Sequence, residues 1–127
     1  MNHKDLDAWK NAMLLAERIY LVTKTFPAHE QYGMVSQFRR AAVSVPSNVA
    51  EGSARNGNKE LSQFLRISLG SLAELETLTI LARQIGYLNG DERDELLSII
   101  VQCSKQISGL IKYVNTHESP KRKMGSS

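Results

Sequence analysis

A chain of 127 residues has room for one ordinary domain with a real core. Its 42% apolar and 23% charged content is that of a folded globular protein, which excludes an intrinsically disordered chain. The pI near 9.1 points to an acidic partner only until the charges are located. Lys121, Arg122 and Lys123 sit in the terminal stretch SPKRKMGSS, and without them 13 basic residues face 13 acidic ones. The body is formally neutral, so any case for nucleic acid has to come from local clustering of charge.

Cys103 is the single cysteine, which rules out an intramolecular disulfide or a paired-thiolate metal site and suits a reducing compartment. The opening MNHKDLDAWK is too polar for a secretory signal. No apolar run approaches the ~20 residues that span a bilayer. A cytoplasmic protein with no membrane partner is expected.

Four helices are predicted. The first covers about Leu6 to Thr25. Its seam is Leu6, Trp9, Met13, Ala16, Tyr20 and Thr23 at alternating spacings of three and four, with Leu15, Ile19 and Val22 as a second stripe. Phe26-Pro27 ends it, because the residue before proline is pushed out of helical space.

The second helix begins near Glu30, with Met34, Phe38, Ala41, Ala42, Val45 and Val49 on one face. Pro46 lies inside this pattern. A break there would leave Val45 as a poor N-cap, and the apolar phase passes from Phe38 to Val49 without a slip. A helix kinked at Pro46 and continuing to Gly52 or Ser53 is therefore expected. Pro46 cannot donate to the carbonyl of Ala42, a local cost on the order of 3 kcal/mol, so a hydroxyl, water or partner is expected there.

The third helix is predicted to start after Asn56-Gly57-Asn58, with Asn58 as N-cap, and to end at Gly86 in the C′ position. The fourth follows Tyr87-Leu88-Asn89-Gly90-Asp91. Acidic residues at 91, 92, 94 and 95 crowd its start, while Lys105 and Lys112 lie toward its end. That polarity complements the helix dipole and belongs to stability. Its core face is Leu97, Ile100, Ser104, Ile107, Ile111 and Val114.

Short connections between long helices favour antiparallel neighbours. The expected fold is all-α, an up-down antiparallel four-helix bundle over residues 1–116, with a basic polar tail at 117–127. The third helix is apolar over more of its circumference than a bundle needs. Leu61, Leu65, Leu72 and Leu75 form one side; Ile67, Leu78, Leu81 and Ile85 lie roughly 100° away, and Leu69 and Ile80 extend the surface further. That excess favours contact with another subunit over a tightly packed monomer.

The search for catalytic chemistry is negative. His3, His29 and His117 have neither the i, i+4 spacing of a helical metal pair nor a Glu-x-x-His context. No nucleophile elbow occurs, and EGSARNGNKE lacks both the ending and the upstream strand of a phosphate loop. Glu74 and Glu76 diverge on a helix, and Cys103 reads as a small buried or interface residue. No enzyme, cofactor or metal is expected.

Two features exceed a plain solvated surface. With helix two running through Pro46, Gln37, Arg40, Ser44, Asn48, Glu51 and Arg55 share one face; this is either ordinary solvated surface or a polar network at an interface, with Glu51 and Arg55 an i, i+4 pair. Arg39, Arg40, Arg55, Lys59 and Arg66 form a basic cluster that could contact phosphates. Against this, Arg39 and Arg40 point about 100° apart, Glu51 can neutralise Arg55, and no aromatic residue interleaves to stack bases.

Several ordered stretches carry a family resemblance. They are Asp5 to Lys10 (DLDAWK), Tyr20, Phe26-Pro27, and Glu30 to Gly52 with Gln37, Arg39, Arg40, Ser44, Asn48, Ala50, Glu51 and Gly52. Arg55, Gly70 to Thr77 (GSLAELET) and Gly86-Tyr87 follow. Over residues 5 to 115 the chain resembles the four-helix-bundle proteins encoded in 23S rRNA intervening sequences. Met34, Phe38 and Ser68 depart mildly from that pattern. The resemblance implies a homo-pentamer with a central opening and no established enzymatic activity. It also implies kinship with the accessory protein of diversity-generating retroelements, a pentameric barrel that associates with a reverse transcriptase and nucleic acid. A non-catalytic oligomeric adaptor is thus expected, its partners being itself, RNA or DNA, or a protein such as a reverse transcriptase. The alternative is an assembly scaffold with no nucleic-acid binding.

Overall fold

The computed structural model describes residues 1–117; of the expected tail, residues 118–127 lie outside the described residues. A short 3₁₀ turn, His3–Asp5, leads into α1, Asp7–Thr23. A second, Ala28–Glu30, precedes α2, Met34–Ser53. α3 spans Asn58–Gln84 and α4 spans Gly90–Thr116. Among the described residues there is no strand, and no helix is long and apolar enough to cross a membrane.

The helices form a four-membered ring in which α1 packs on α2 and α4, and α3 packs on α2 and α4. Side-chain pairs show that neighbours run in opposite directions. Asn11 Nδ2 donates to Gln106 Oε1 at 2.9 Å, while Arg18, further along α1, pairs with Glu95, earlier on α4. On the opposite side Val45 meets Ser68, while Gly52 lies against Leu61 and Phe64. This is the up-down bundle expected from the short connections.

The core is formed by Leu15 and Ile19 from α1, Phe38, Val45 and Val49 from α2, Leu65, Leu72 and Leu75 from α3, and Leu96 and Ile107 from α4. The α2 face agrees with its sequence pattern throughout. On α4, Leu96 and Cys103 are buried, while Leu97 and Ser104 from the expected face are only half-buried. On α1 the expected second stripe, with Leu15 and Ile19, faces the core, and of the expected seam only Thr23 is fully buried. Ala8, Ala12, Leu15, Ile19 and Thr23 face inward, whereas Met13 and Tyr20 are 46% and 40% exposed. Two stripes with the same spacing coexist on this helix. The inward stripe combines two small residues, Ala8 and Ala12, with the larger Leu15 and Ile19.

α2 runs through Pro46 without a break. The hydroxyl found beside the proline belongs to Ser68. It donates to Val45 O at 2.9 Å and not to the carbonyl of Ala42. At Gly52, α2 comes close to α3: a Cβ there would lie 2.9 Å from Phe64 Cβ and 3.0 Å from Leu61 Cδ1.

The N-cap of α3 is Gly57, not Asn58. Asn58 Nδ2 instead donates to Val114 O at 3.3 Å and His117 O at 3.2 Å, supplying partners to carbonyls that the end of α4 leaves unpaired. α3 closes as its sequence suggests. Gly86 has φ +85°, Tyr87 N–H reaches Ala82 O at 2.8 Å and Gly86 N–H reaches Arg83 O at 3.2 Å, the paired bonds of a Schellman turn. Asn89 then caps α4 in a reciprocal box with Glu92, at 2.8 and 2.9 Å.

Candidate functional site

The polar stripe of α2 faces the outer edge of α3. Asn48 Nδ2 donates to Ser44 O at 2.8 Å and to Ser44 Oγ at 3.0 Å; Ser71 Oγ lies 2.8 Å from Ser44 Oγ. Gln37, Arg40, Ser44, Ser71 and Glu74 line a shallow groove of about 180 Å³ between the two helices. The inner members, Ser44 and Asn48, are half-buried, while Gln37, Arg40, Glu51 and Arg55 are exposed. Two stretches separated in sequence, QFRRAAVS and GSLAELE, thus meet across one groove. Glu51 Oε2 lies 3.7 Å from Arg55 Nη2 in the expected i, i+4 pair, and the Arg55 guanidinium also lies 5.0 Å from the Phe64 ring centroid.

The basic cluster divides into separate sites. Arg39 is half-buried at the C-terminus of α1. Its Nε donates to Thr23 Oγ1 at 3.1 Å, its Nη2 reaches Tyr20 O at 3.4 Å, and its guanidinium lies 4.6 Å from the Tyr20 ring centroid. A cation at that position also suits the negative end of the α1 dipole. Arg40 is exposed on the ridge between the α2/α3 groove and a larger one of about 580 Å³ between α1 and α2. Lys59 and Arg66 line a third groove, of about 400 Å³, between α3 and α4. Among the described residues, no carboxylate comes within 4.0 Å of Arg39, Arg40, Lys59 or Arg66.

Two features escaped sequence reasoning. The first is a Glu30–Tyr87 contact. Tyr87 Oη donates to Glu30 Oε2 at 2.9 Å, while Glu30 Oε1 accepts from Met34 N–H at 3.2 Å in the first turn of α2. Phe26 packs against the rings of Tyr87 and Phe38, at 5.3 and 5.7 Å. The backbone bond from Met34 and the Tyr87 hydroxyl hold the Glu30 carboxyl below its usual range, and the same carboxylate pushes the Tyr87 phenol up. The spacing from Glu30 to Met34 was a local signal for this cap; the tyrosine partner, 57 residues on, carried none. The second is that the fold brings Tyr20 and Tyr32 beside Arg39 and Arg40, supplying aromatic neighbours where linear order showed none.

The remaining candidates are chemically quiet. Cys103 is fully buried, and burial pushes its thiol up to about 11. His3 packs edge-on against Trp9, and His117 stacks on Tyr113. Among the described residues no three metal-capable side chains gather.

The class defined so far is an antiparallel four-helix bundle with polar and basic grooves between its helices. The model of the 23S rRNA-intervening sequence protein family matches residues 4–109, and the chain belongs to that family. A solved structure from Bacteroides thetaiotaomicron VPI-5482, a protein of unknown function from the S23 ribosomal protein family, is similar in fold. It has a TM-score of 0.76 and 20% identity, over 83% of this chain and 98% of that one. No curated protein matches. Neither the family's nor the solved structure's description names a reaction.

Proposed function

We propose that this protein is a non-catalytic homo-oligomeric adaptor, a pentamer by family analogy, that associates with nucleic acid. The observation that carries the nucleic-acid reading is Arg40, exposed on the ridge shared by two grooves, with no carboxylate within ion-pair distance among the described residues. Arg39 lies beside it, oriented by Tyr20 and Thr23. Lys59 and Arg66 offer a second basic edge on α3, and Arg55 contributes less while Glu51 screens it. Such groups bind phosphates through charge and counterion release, so affinity falls steeply with salt.

Filter binding of RNA and DNA across a salt series tests the reading. Retention at low salt that fades as salt rises is expected; no retention at low salt removes it. Self-association is supported by the exposed apolar residues Ile67, Ile80 and Leu81 of α3 and Ile85 at its C-cap, although Leu78 from the expected excess face is buried in the core. Light scattering at micromolar concentration is expected to give a multiple of the 14.2 kDa chain mass, and a monomer refutes it.

The same exposed apolar residues favour the second reading, an assembly scaffold without nucleic acid. There Gln37, Ser44, Asn48 and Glu51 would meet a neighbouring subunit or a protein partner, such as a reverse transcriptase by family analogy. Oligomerisation without any nucleic-acid retention would select it.

A further inference from the structure

Tyr32 is 95% exposed, in the turn between the 3₁₀ segment Ala28–Glu30 and α2. A ring left that far in water contributes almost nothing to the core, whereas the neighbouring aromatics Phe26 and Phe38 are buried. Its position gives it a different use. Tyr32, Gln31, Ser36, Arg39 and Arg40 line the α1/α2 groove, whose volume of about 580 Å³ lies within the range of small-ligand sites. No acidic residue lines that groove.

The two cations in it are in different states. Arg39 is held over Tyr20 and bonded to the end of α1, so one face of the Tyr20 ring is already covered. Arg40 is exposed and has no carboxylate within 4.0 Å among the described residues. The groove therefore combines a free aromatic face, a free guanidinium, a fixed second positive charge and uncharged hydrogen-bonding groups at Gln31, Ser36 and Ser44.

We infer that the α1/α2 groove binds single-stranded nucleic acid, with Tyr32 stacking on an unpaired base and Arg40 contacting the adjacent phosphate. The inference rests on the nucleic-acid reading above and narrows it to unpaired strands and one groove. An open stacking surface requires a base whose face is free. In a duplex each base face is covered by its neighbours, so Tyr32 has nothing to stack on. Arg39 acts through its fixed positive field and by holding Tyr20 in place. A peptide ligand is less well matched, because both charged groups lining the groove are cations and a neutral chain leaves them uncompensated.

The test is fluorescence anisotropy with the full chain, using a labelled oligothymidylate of about 12 nucleotides, within the usual site size for a single strand, and a duplex of mixed sequence and equal length. Wild type is compared with Tyr32→Ala, Tyr32→Phe and Arg40→Ala. Because Tyr32 is outside the core, its variants are expected to keep the wild-type far-UV circular dichroism. Wild type is expected to prefer the single strand. Tyr32→Ala is expected to weaken single-strand binding roughly 10-fold or more, with Tyr32→Phe close to wild type and duplex binding unchanged. Arg40→Ala is expected to lower the slope of log affinity against log salt by about 0.7 for the single strand.

Nucleic-acid binding that is indifferent to Tyr32→Ala, or that is equal for duplex and single strand, overturns this inference and leaves the broader reading standing. Absence of binding to both probes at low salt overturns this inference, and absence of RNA retention in the filter assay as well overturns the broader reading.

Discussion

Replacing Gly52 by alanine sets two effects of known sign against each other. Within a helix, alanine is favoured over glycine by about 1 kcal/mol. At Gly52 the added methyl would meet Phe64 Cβ at 2.9 Å, Leu61 Cδ1 at 3.0 Å and Leu61 O at 3.3 Å. The Leu61 methyl can turn away, but Phe64 Cβ and the Leu61 carbonyl move only if α3 moves. Overpacking of that kind costs about 1–3 kcal/mol, and with two immovable neighbours the upper half of the range applies. The net expectation is a loss of about 1–2 kcal/mol, or a fall in melting temperature of about 3–10 °C for a domain of this size. Gly70 is the control. It lies in α3, is exposed, and has no atom within 4 Å of the position its added methyl would take. Gly70→Ala meets the propensity gain alone and is expected to raise the melting temperature by about 2–5 °C. Thermal unfolding followed by circular dichroism at one fixed protein concentration reads both. If Gly52→Ala melts as high as wild type or higher, close helix approach is not what requires glycine there.

Other predictions follow from local chemistry. Glu30 titrates below its usual value when folded, so its stabilising contribution is present above the unfolded value and lost as pH falls through the lowered one. Urea curves from about pH 7 to about pH 3, spanning the carboxylate range, are expected to show wild type more stable than Glu30→Gln at neutral pH, with the gap closing in acid; a gap independent of pH refutes the account. Tyr87 has the opposite sign: its contribution is present below pH ~10 and lost as pH rises through the raised value, so Tyr87→Phe is expected to flatten that alkaline limb. Pro46→Ala restores a donor to the Ala42 carbonyl. With about 3 kcal/mol regained and up to about 1 kcal/mol returned to the unfolded chain's entropy, a gain of about 2–3 kcal/mol in urea unfolding is expected, and a loss would mean that packing requires the ring. Cys103 is expected to resist a disulfide-exchange reagent in the native state and to react in step with unfolding, as its burial and raised pKa require.

The sequence by itself determined what depends on neighbours a few residues away. Helical periodicity, the stop at Gly86, the acidic start of α4 and the continuity of α2 across Pro46 are each encoded within one or two turns of chain, and all stand in the structure. The bundle topology followed because short connections leave few other arrangements. What the tertiary structure decided are choices that local pattern leaves equal. α1 carries two stripes of the same period, and packing against the other helices turns the one with Ala8, Ala12, Leu15 and Ile19 inward and leaves Met13 and Tyr20 outside. Asn58 has a capping side chain, but the end of α4 offers it carbonyls that Gly57 could not reach without a side chain. The basic residues look like one cluster along the chain, yet helix phase and packing distribute Arg39, Arg40, Lys59 and Arg66 among three grooves, turn Arg55 to Glu51 and Phe64, and set two tyrosines beside Arg39 and Arg40. The Glu30–Tyr87 bond joins residues 57 apart. Such contacts arise from how helices are brought together in space, and periodicity within one helix holds no record of them.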